Sequence, residues 1–297
     1  MSAATRRGGS LTHPARTGVA LVLPAIAFVV VFVFVPLVAA VGISFTNLPL
    51  IGPWEFVGLD NYLLAFTDPV FGRSILYTLV YTLIVTFPIL ALGYALAVVV
   101  RSNRRGSTLL RTIFFLPYVI GLTTISFIAL LEAQPDSGAI NVVLAWLGIT
   151  DGSTAWLVNG PLATGLTCAL VIWGVSGLTM VLLMSAMQGV PREVYESAEL
   201  DGASWWKTEW NVTIPMIRRA IAMSVIISVI GSFLAFTQFF ILTQGGPGSE
   251  TTTVVMAVFR RAFIDLQLGS ATAMSLLLVL LTGLVTAVQM LMLREKD

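Results

Sequence analysis

The chain has 297 residues, of which 57% are hydrophobic and only 10% charged, and its mean hydropathy is +0.93. So much apolar surface cannot be buried in a water-soluble core, and a formal net charge of +1 excludes the broad field that nucleic acid or a highly charged ligand would require. The one cysteine, Cys168, excludes an intrachain disulfide and a thiolate metal cluster.

Charge positions locate the membrane segments, because an Asp, Lys or Arg at a helix centre costs about 2.5–3.5 kcal/mol. Gaps between charges reach the roughly 20 residues a bilayer needs from Arg16 to Glu55, Arg73 to Arg101, Arg111 to Glu132, Asp151 to Arg192, Arg219 to Glu250 and Asp265 to Arg294. They predict an all-α integral membrane protein with six transmembrane helices, centred near Val31, Val85, Thr123, Val171, Ile230 and Leu280. The expected organisation is an N-terminal arm over 1–17, a six-helix domain over 18–293 and a tail over 294–297.

The arm carries Arg6, Arg7, His13 and Arg16; a lone histidine in a polar tail is expected to be solvated, not a ligand or a base. The apolar run that follows is about twice a signal-peptide core and has no convincing cleavage site, so it reads as a retained first helix. Pro24 and Pro36 in that helix, Pro88 in the second and Pro117 in the third predict kinks, which membranes tolerate where neighbours or cavity water satisfy the freed carbonyls. Gly138 to Ile149 is apolar but too short to span, and is expected to lie at the interface. Cys168, inside the fourth apolar run, reads as a packing residue.

Sidedness follows from the basic residues. Arg6, Arg7 and Arg16, then Arg101, Arg104, Arg105 and Arg111, then Arg192, Lys207, Arg218 and Arg219, then Arg294 and Lys296 all fall on one side, against Arg73, Arg260 and Arg261 on the other. The positive-inside rule makes both termini cytoplasmic, in a bacterial or archaeal-type inner membrane.

The loop between the fourth and fifth helices, Gln188 to Pro215, is polar yet structured. Pro191 suits a first helical turn, Glu193 and Glu196 sit near the positive end of the dipole, and Gly202 suits a C-terminal cap. A helix over Pro191 to Asp201 is predicted, then a second one with Ser204 as N-cap that ends before Pro215. Ala198 and Gly202 share a face, with Ala203 following, so a partner backbone can approach there, and Glu196 and Asp201 supply charge at the rim.

Glu196-Ser197-Ala198, Asp201-Gly202-Ala203 and Val212-Thr213-Ile214-Pro215 resemble the EAA loop of binding-protein-dependent ABC importer permeases, with Ser197 for an alanine and Ile214 for a leucine. The resemblance extends along nearly the whole chain and points to the carbohydrate-type branch, the MalF-like sugar permeases. Phe56 to Tyr62 with Thr67, Asp68, Pro69 and Phe71 is similar to its entry to the second helix, where Tyr77 and Thr78 replace the usual Asn-Thr. Arg111 to Pro117 resembles the start of its third helix, and Gly138, Ile140 and Asn141 its G-x-I-N turn. Phe236 to Pro247 is similar to its F-x-x-x-x-x-x-T-x-G-G-P signature, with Thr237 and Gln238 where Asp or Asn is common after the phenylalanine. The resemblance implies that the loop is a coupling helix docking on a cytoplasmic ATPase. It also implies a second homologous permease, two ATPase copies holding ATP and Mg, and an external solute-binding protein that delivers a sugar or oligosaccharide.

A sugar path needs hydroxyl and amide partners with aromatic faces. Ser232, Phe236 and Phe239 at i, i+4 and i+7 with Gln238 beside them, and Trp173 with Ser176, are the candidates, against the alternative that they pack helix on helix. Gly245, Gly246 and Pro247 form an outer turn, and Arg260 and Arg261, against the charge trend, are candidate contacts for the binding protein. No phosphate loop G-x-x-x-x-G-K-[ST] occurs, so this chain binds no nucleotide through that motif; no other cofactor or metal is expected. Import of glycerol phosphate or polyamine by the same fold remains an alternative. An ion-coupled carrier and an intramembrane enzyme are disfavoured, since no charged residue or nucleophile–base pair lies in the six spans.

Overall fold

The computed structural model describes residues 15–102, 106–135 and 137–293. Arg6, Arg7, His13, Arg104, Arg105 and the tail with Arg294 and Lys296 lie outside them, as do the expected ends of the arm and tail. Among the described residues the chain is helical, with two isolated bridges, Thr46–Phe56 and Pro49–Gln267.

Five helices are long and apolar enough to cross a membrane: Leu21–Ser44, Pro69–Val100, Gly160–Gln188, Arg218–Leu242 and Leu268–Met292. Ser107–Ile120 with Leu122–Glu132 makes a sixth, bent by 88°. In chain order these are the first to sixth spans, with the bent pair third. Their starts follow local chemistry. Asp68 caps the second span by accepting from the Val70 N–H at 2.8 Å and the Phe71 N–H at 3.2 Å, with Pro69 at the first helical position. Asn159 does the same for the fourth, accepting from the Leu162 N–H at 3.2 Å.

The second, fourth and fifth spans form the centre. Tyr81, Val85 and Ile89 meet Cys168, Leu170, Val171, Phe239 and Leu242 in one core, where Cys168 is the packing residue its sequence context predicts. Small residues set the spacing: a Cβ on Gly177 would overlap the Phe114 carbonyl, and one on Gly93 would lie 2.5 Å from Thr179 Cγ2. The first span is peripheral. Its apolar stretch is unburied, and it touches the sixth span through its Val35–Ser44 half.

Three features depart from the sequence expectation. The third span breaks at Gly121 (φ +87°, ψ 149°), a conformation that suits glycine, while Pro117, the expected kink, sits buried within the first limb. The fifth span breaks between Phe233 and Thr237, and the Ala235 carbonyl is taken by the Thr253 hydroxyl at 2.7 Å. The two second limbs, Leu122–Glu132 and Thr237–Leu242, pack on each other. Finally, the first span holds a π turn, Val30–Phe34, that ends two residues before Pro36. The wider turn relieves the clash of the proline ring with the preceding carbonyl. Pro88, by contrast, lies inside a continuous second span.

The apolar stretch at 138–149 forms the short helix Ala139–Trp146. Its anchor is Asn141, which is fully buried: its amide donates to the Gln134 carbonyl at 3.0 Å and the Thr154 carbonyl at 2.9 Å, and accepts from the Trp156 indole at 2.9 Å.

Candidate functional site

The polar loop forms an elbow. Arg192–Leu200 is a helix opened by Pro191, and Asp201 is its C-cap. Gly202, at φ +71°, closes it: the Gly202 N–H bonds the Glu199 carbonyl and the Ala203 N–H the Ala198 carbonyl, each at 3.0 Å. That pair of reciprocal bonds is the Schellman arrangement, which glycine favours because a left-handed residue carries no Cβ penalty there. A Cβ at Gly202 would meet nothing within 4 Å, so the tip is open. Leu200, 89% exposed, stands beside it, and Glu196 pairs with Arg192 at 2.8 Å across an exposed turn. Ser197 is exposed and donates to the Glu193 carbonyl. Ala198 was expected on the open face with Gly202; it is instead buried against the chain, on the side of the helix turned toward the rest of the elbow.

Beyond the tip the chain re-enters a helix at Trp205, with Ser204 extended at the N-cap but making no side-chain cap. This helix does not end before Pro215. It runs on as a π turn, Glu209–Thr213, and a last turn, Ile214–Met216, breaking at Ile217 before the fifth span begins at Arg218. As in the first span, the π turn ends two residues before a proline. Trp205, Trp206 and Trp210 are exposed and border a cavity of about 380 Å³ together with Phe87, Leu90 and Tyr94 of the second span. Tryptophans concentrate at that level in membrane interfaces.

The base of the elbow holds a charge cluster that the sequence reading did not single out. Glu209 is 2% exposed. One carboxylate oxygen accepts from Arg101 Nη2 at 2.5 Å, and the other from the Tyr94 hydroxyl at 2.6 Å and Arg101 Nη1 at 3.4 Å. The Arg101 guanidinium also lies 5.8 Å from the centroid of the Tyr195 ring, on the first elbow helix. Its trace in sequence is a glutamate set among three tryptophans, where an acidic side chain has little reason to be unless paired.

The membrane candidates separate. Ser176 (2% exposed), Ser232 (5%), Gln238 (3%) and Phe239 (0%) are enclosed by this chain. Gln238 donates to the Tyr81 hydroxyl at 3.2 Å, and Ser176 and Ser232 donate to carbonyls of their own helix. The break in the fifth span removes the common face expected for Ser232, Phe236 and Phe239. Trp173 is exposed, and Phe236 sits at the break, stacked on Phe240. Trp173 adjoins Gly174, whose α-carbon faces Leu122 and Ile125 just past the Gly121 break.

At the far end, Gly245 (φ +84°) and Gly246 form a turn clasped by threonines, with the Thr251 hydroxyl 2.6 Å from the Gly246 carbonyl, and the Gly246–Pro247 peptide is cis. Arg261, expected to face an external partner, is turned into the chain: it pairs with Asp68 at the head of the second span, and with Asp265 at 3.7 Å. Arg260 lines the adjoining cavity of about 380 Å³ with Asp68 and Ser249.

Residues 89–295 match the family described as the binding-protein-dependent transport system inner membrane component. The multiple sugar-binding transport system permease protein MsmF of Streptococcus mutans is 33% identical over 91% of this chain and 92% of that protein. The diacetylchitobiose uptake system permease protein NgcF of Streptomyces coelicolor is 32% identical over 86% and 76%. Among solved structures, a chain of a bacterial alginate ABC transporter, in complex with an alginate pentasaccharide-bound periplasmic protein, superposes with a TM-score of 0.83 at 20% identity, covering 94% of each chain.

Proposed function

The chain belongs to the family of binding-protein-dependent transport system inner membrane components, and from that premise we propose a division of labour in which it conducts a sugar or oligosaccharide across the inner membrane while partner chains supply the energy. It is a multi-pass permease subunit of an ABC importer. Sugar as the cargo class is supported by the relatives, two of which are permeases named for sugar and diacetylchitobiose uptake.

The observation that carries the coupling role is the elbow: a rigidly capped turn with an open glycine tip and an exposed leucine, borne on a short polar helix. Docked in a cleft of a cytoplasmic ATPase, such a tip moves with that cleft, and nucleotide-driven closure of two ATPase copies becomes displacement of the spans. Glu196, Ser197, Asp201 and Ala203 would border the contact, and Ile214 and Pro215 would carry the movement into the fifth span. ATP and Mg are assigned in this reading to the partner ATPase. The elbow side is then cytoplasmic, with both termini, and the Gly245–Pro247 turn and Arg260 face outward toward a solute-binding protein.

The path is assigned to the junction of the two broken spans. Backbone groups freed inside a membrane persist where they border protein or water; the limbs that follow the breaks at Gly121 and Phe236 pack on each other, and Gly174, next to Trp173, faces Leu122 and Ile125 of the first of them. Trp173 and Phe236 offer aromatic faces there for the C–H faces of a sugar.

The test is reconstitution of the chain with its companion permease, ATPase and binding protein in vesicles. Labelled sugar should accumulate only with ATP inside and loaded binding protein outside. Uptake driven by a proton or sodium gradient without ATP would refute the assignment.

A further inference from the structure

We propose that Arg101 and Glu209 form a latch that joins the elbow to the end of the second span, so that the two move as one lever; this rests on the reading of the elbow as the ATPase-coupling element.

The second span has 32 residues, about 48 Å at 1.5 Å per residue, well beyond a hydrocarbon thickness of roughly 30 Å. Counted from Arg73, the roughly 20 residues that fill the hydrocarbon end near Gly93. Tyr94 through Arg101 therefore stand clear of it, and this overhang is what the elbow grips. Glu209 comes from the π turn of the second elbow helix, and every oxygen of its carboxylate is engaged, by Arg101 in a two-pronged pair and by Tyr94 about two helical turns earlier on the same span. Such fork-to-carboxylate geometry fixes orientation as well as distance.

The latch also reaches the other elements at this end. Arg101 lies over Tyr195 of the first elbow helix, whose hydroxyl is 3.4 Å from Thr213 of the second. The Arg101 carbonyl accepts from Gln188 at the end of the fourth span, 3.3 Å away. The neighbouring Val100 carbonyl accepts from Arg111 of the third span at 3.0 and 2.8 Å. The second span thus ends in bonds to the third and fourth spans and to both arms of the elbow. The covalent joins of the elbow to the bundle are the break at Ile217 and the turn at Gly189–Val190, and a force carried by them alone would bend these joints before moving the second span.

A buried ion pair is weak grounds for stability, because desolvation offsets the attraction, and apolar replacements of the whole pair often fold as well as the original. That separates a latch from a folding determinant. In the assembled complex, in a Cys168-free background, spin labels at Glu193 and Val99, both exposed and outside the docking tip, would report the elbow-to-span distance, alongside uptake and binding-protein-stimulated ATP hydrolysis. Wild type should give a narrow distance distribution and tight coupling. Glu209→Gln should broaden the distribution and lower sugar imported per ATP by about tenfold or more, with the ATPase still copurifying. The double variant Arg101→Met with Glu209→Leu should melt like wild type yet uncouple in the same way. Coupling and distance unchanged in the double variant would overturn the latch while leaving the elbow's role intact, as would failure of both variants to assemble, which would make the pair a folding determinant. Absence of binding-protein-stimulated hydrolysis in wild type would instead remove the underlying reading, and the latch with it.

Discussion

Gly202 allows the docking of the elbow tip to be tested apart from the folding of the elbow. Its φ of +71° costs a β-carbon residue roughly 1–2 kcal/mol, whereas asparagine tolerates that region. Because no atom lies within 4 Å of a Cβ built there, side-chain bulk adds no clash inside the chain, and the two cap bonds use backbone groups that every replacement but proline retains. Gly202→Ala and Gly202→Trp therefore share one backbone penalty and differ only in the volume they present to a partner. The isolated permease should melt at the same temperature with either, slightly below Gly202→Asn. In vesicles, Gly202→Asn and Gly202→Ala should keep most uptake and binding-protein-stimulated ATP hydrolysis, and Gly202→Trp should lose at least about tenfold in both. Equal activity of the alanine and tryptophan variants would refute close approach at the tip. Equal loss in both would assign the effect to the cap geometry instead.

Asn141→Ala should lower the stability of the detergent-solubilised protein by roughly 2–4 kcal/mol, since it strands two carbonyls and an indole N–H that are only partly buried; thermal unfolding measures it, and a shift under about 0.5 kcal/mol would show that water replaces the amide. Single cysteines at Ser10 and Glu295 in a Cys168-free background should resist an impermeant thiol reagent in intact cells, and one at the exposed Ser249 should react; labelling of Glu295 without lysis would overturn the even number of spans. Trp173→Ala should change the apparent affinity or range of imported sugars with assembly intact, and unchanged transport kinetics would return Trp173 to a packing role. Arg261→Ala should leave binding-protein affinity unaltered and lower the melting temperature by unpairing Asp68; the opposite pattern would move Arg261 to the external interface.

What was legible in the sequence follows from the range of the forces involved. Charge exclusion acts residue by residue, so gaps between charges located every span, and the helix count and the centres near Val85, Val171 and Leu280 needed no partner information. The elbow was readable for the same reason: Pro191 and Gly202 act on their own backbone, and the cap formed where glycine allowed it. The break in the fifth span was not readable. Phe233 to Phe236 contains neither proline nor glycine, and the carbonyl it frees is satisfied by Thr253, 18 residues on. Gly121 was present in the sequence, but a membrane glycine serves close packing at Gly93 and Gly177 as readily as it serves a break, and only its φ separates the two uses.

The same difference in range makes the elbow's tip legible in the sequence and its mounting not. Glu196 and Asp201 lie where acidic residues of a polar loop are expected, yet Glu196 is exposed and its pair is Arg192, one turn earlier. Glu209 is the carboxylate with structural leverage, and its partners are 108 and 115 residues away in the chain. In the sequence Arg101 is one more positive charge among those that set sidedness. Both meanings are physically compatible, because a cation at the C-terminus of the second span satisfies the helix dipole and the positive-inside preference while holding a buried anion. A charge counted for topology can thus also be a joint, and the feature that signals it is the opposite charge placed where the surrounding residues are tryptophans.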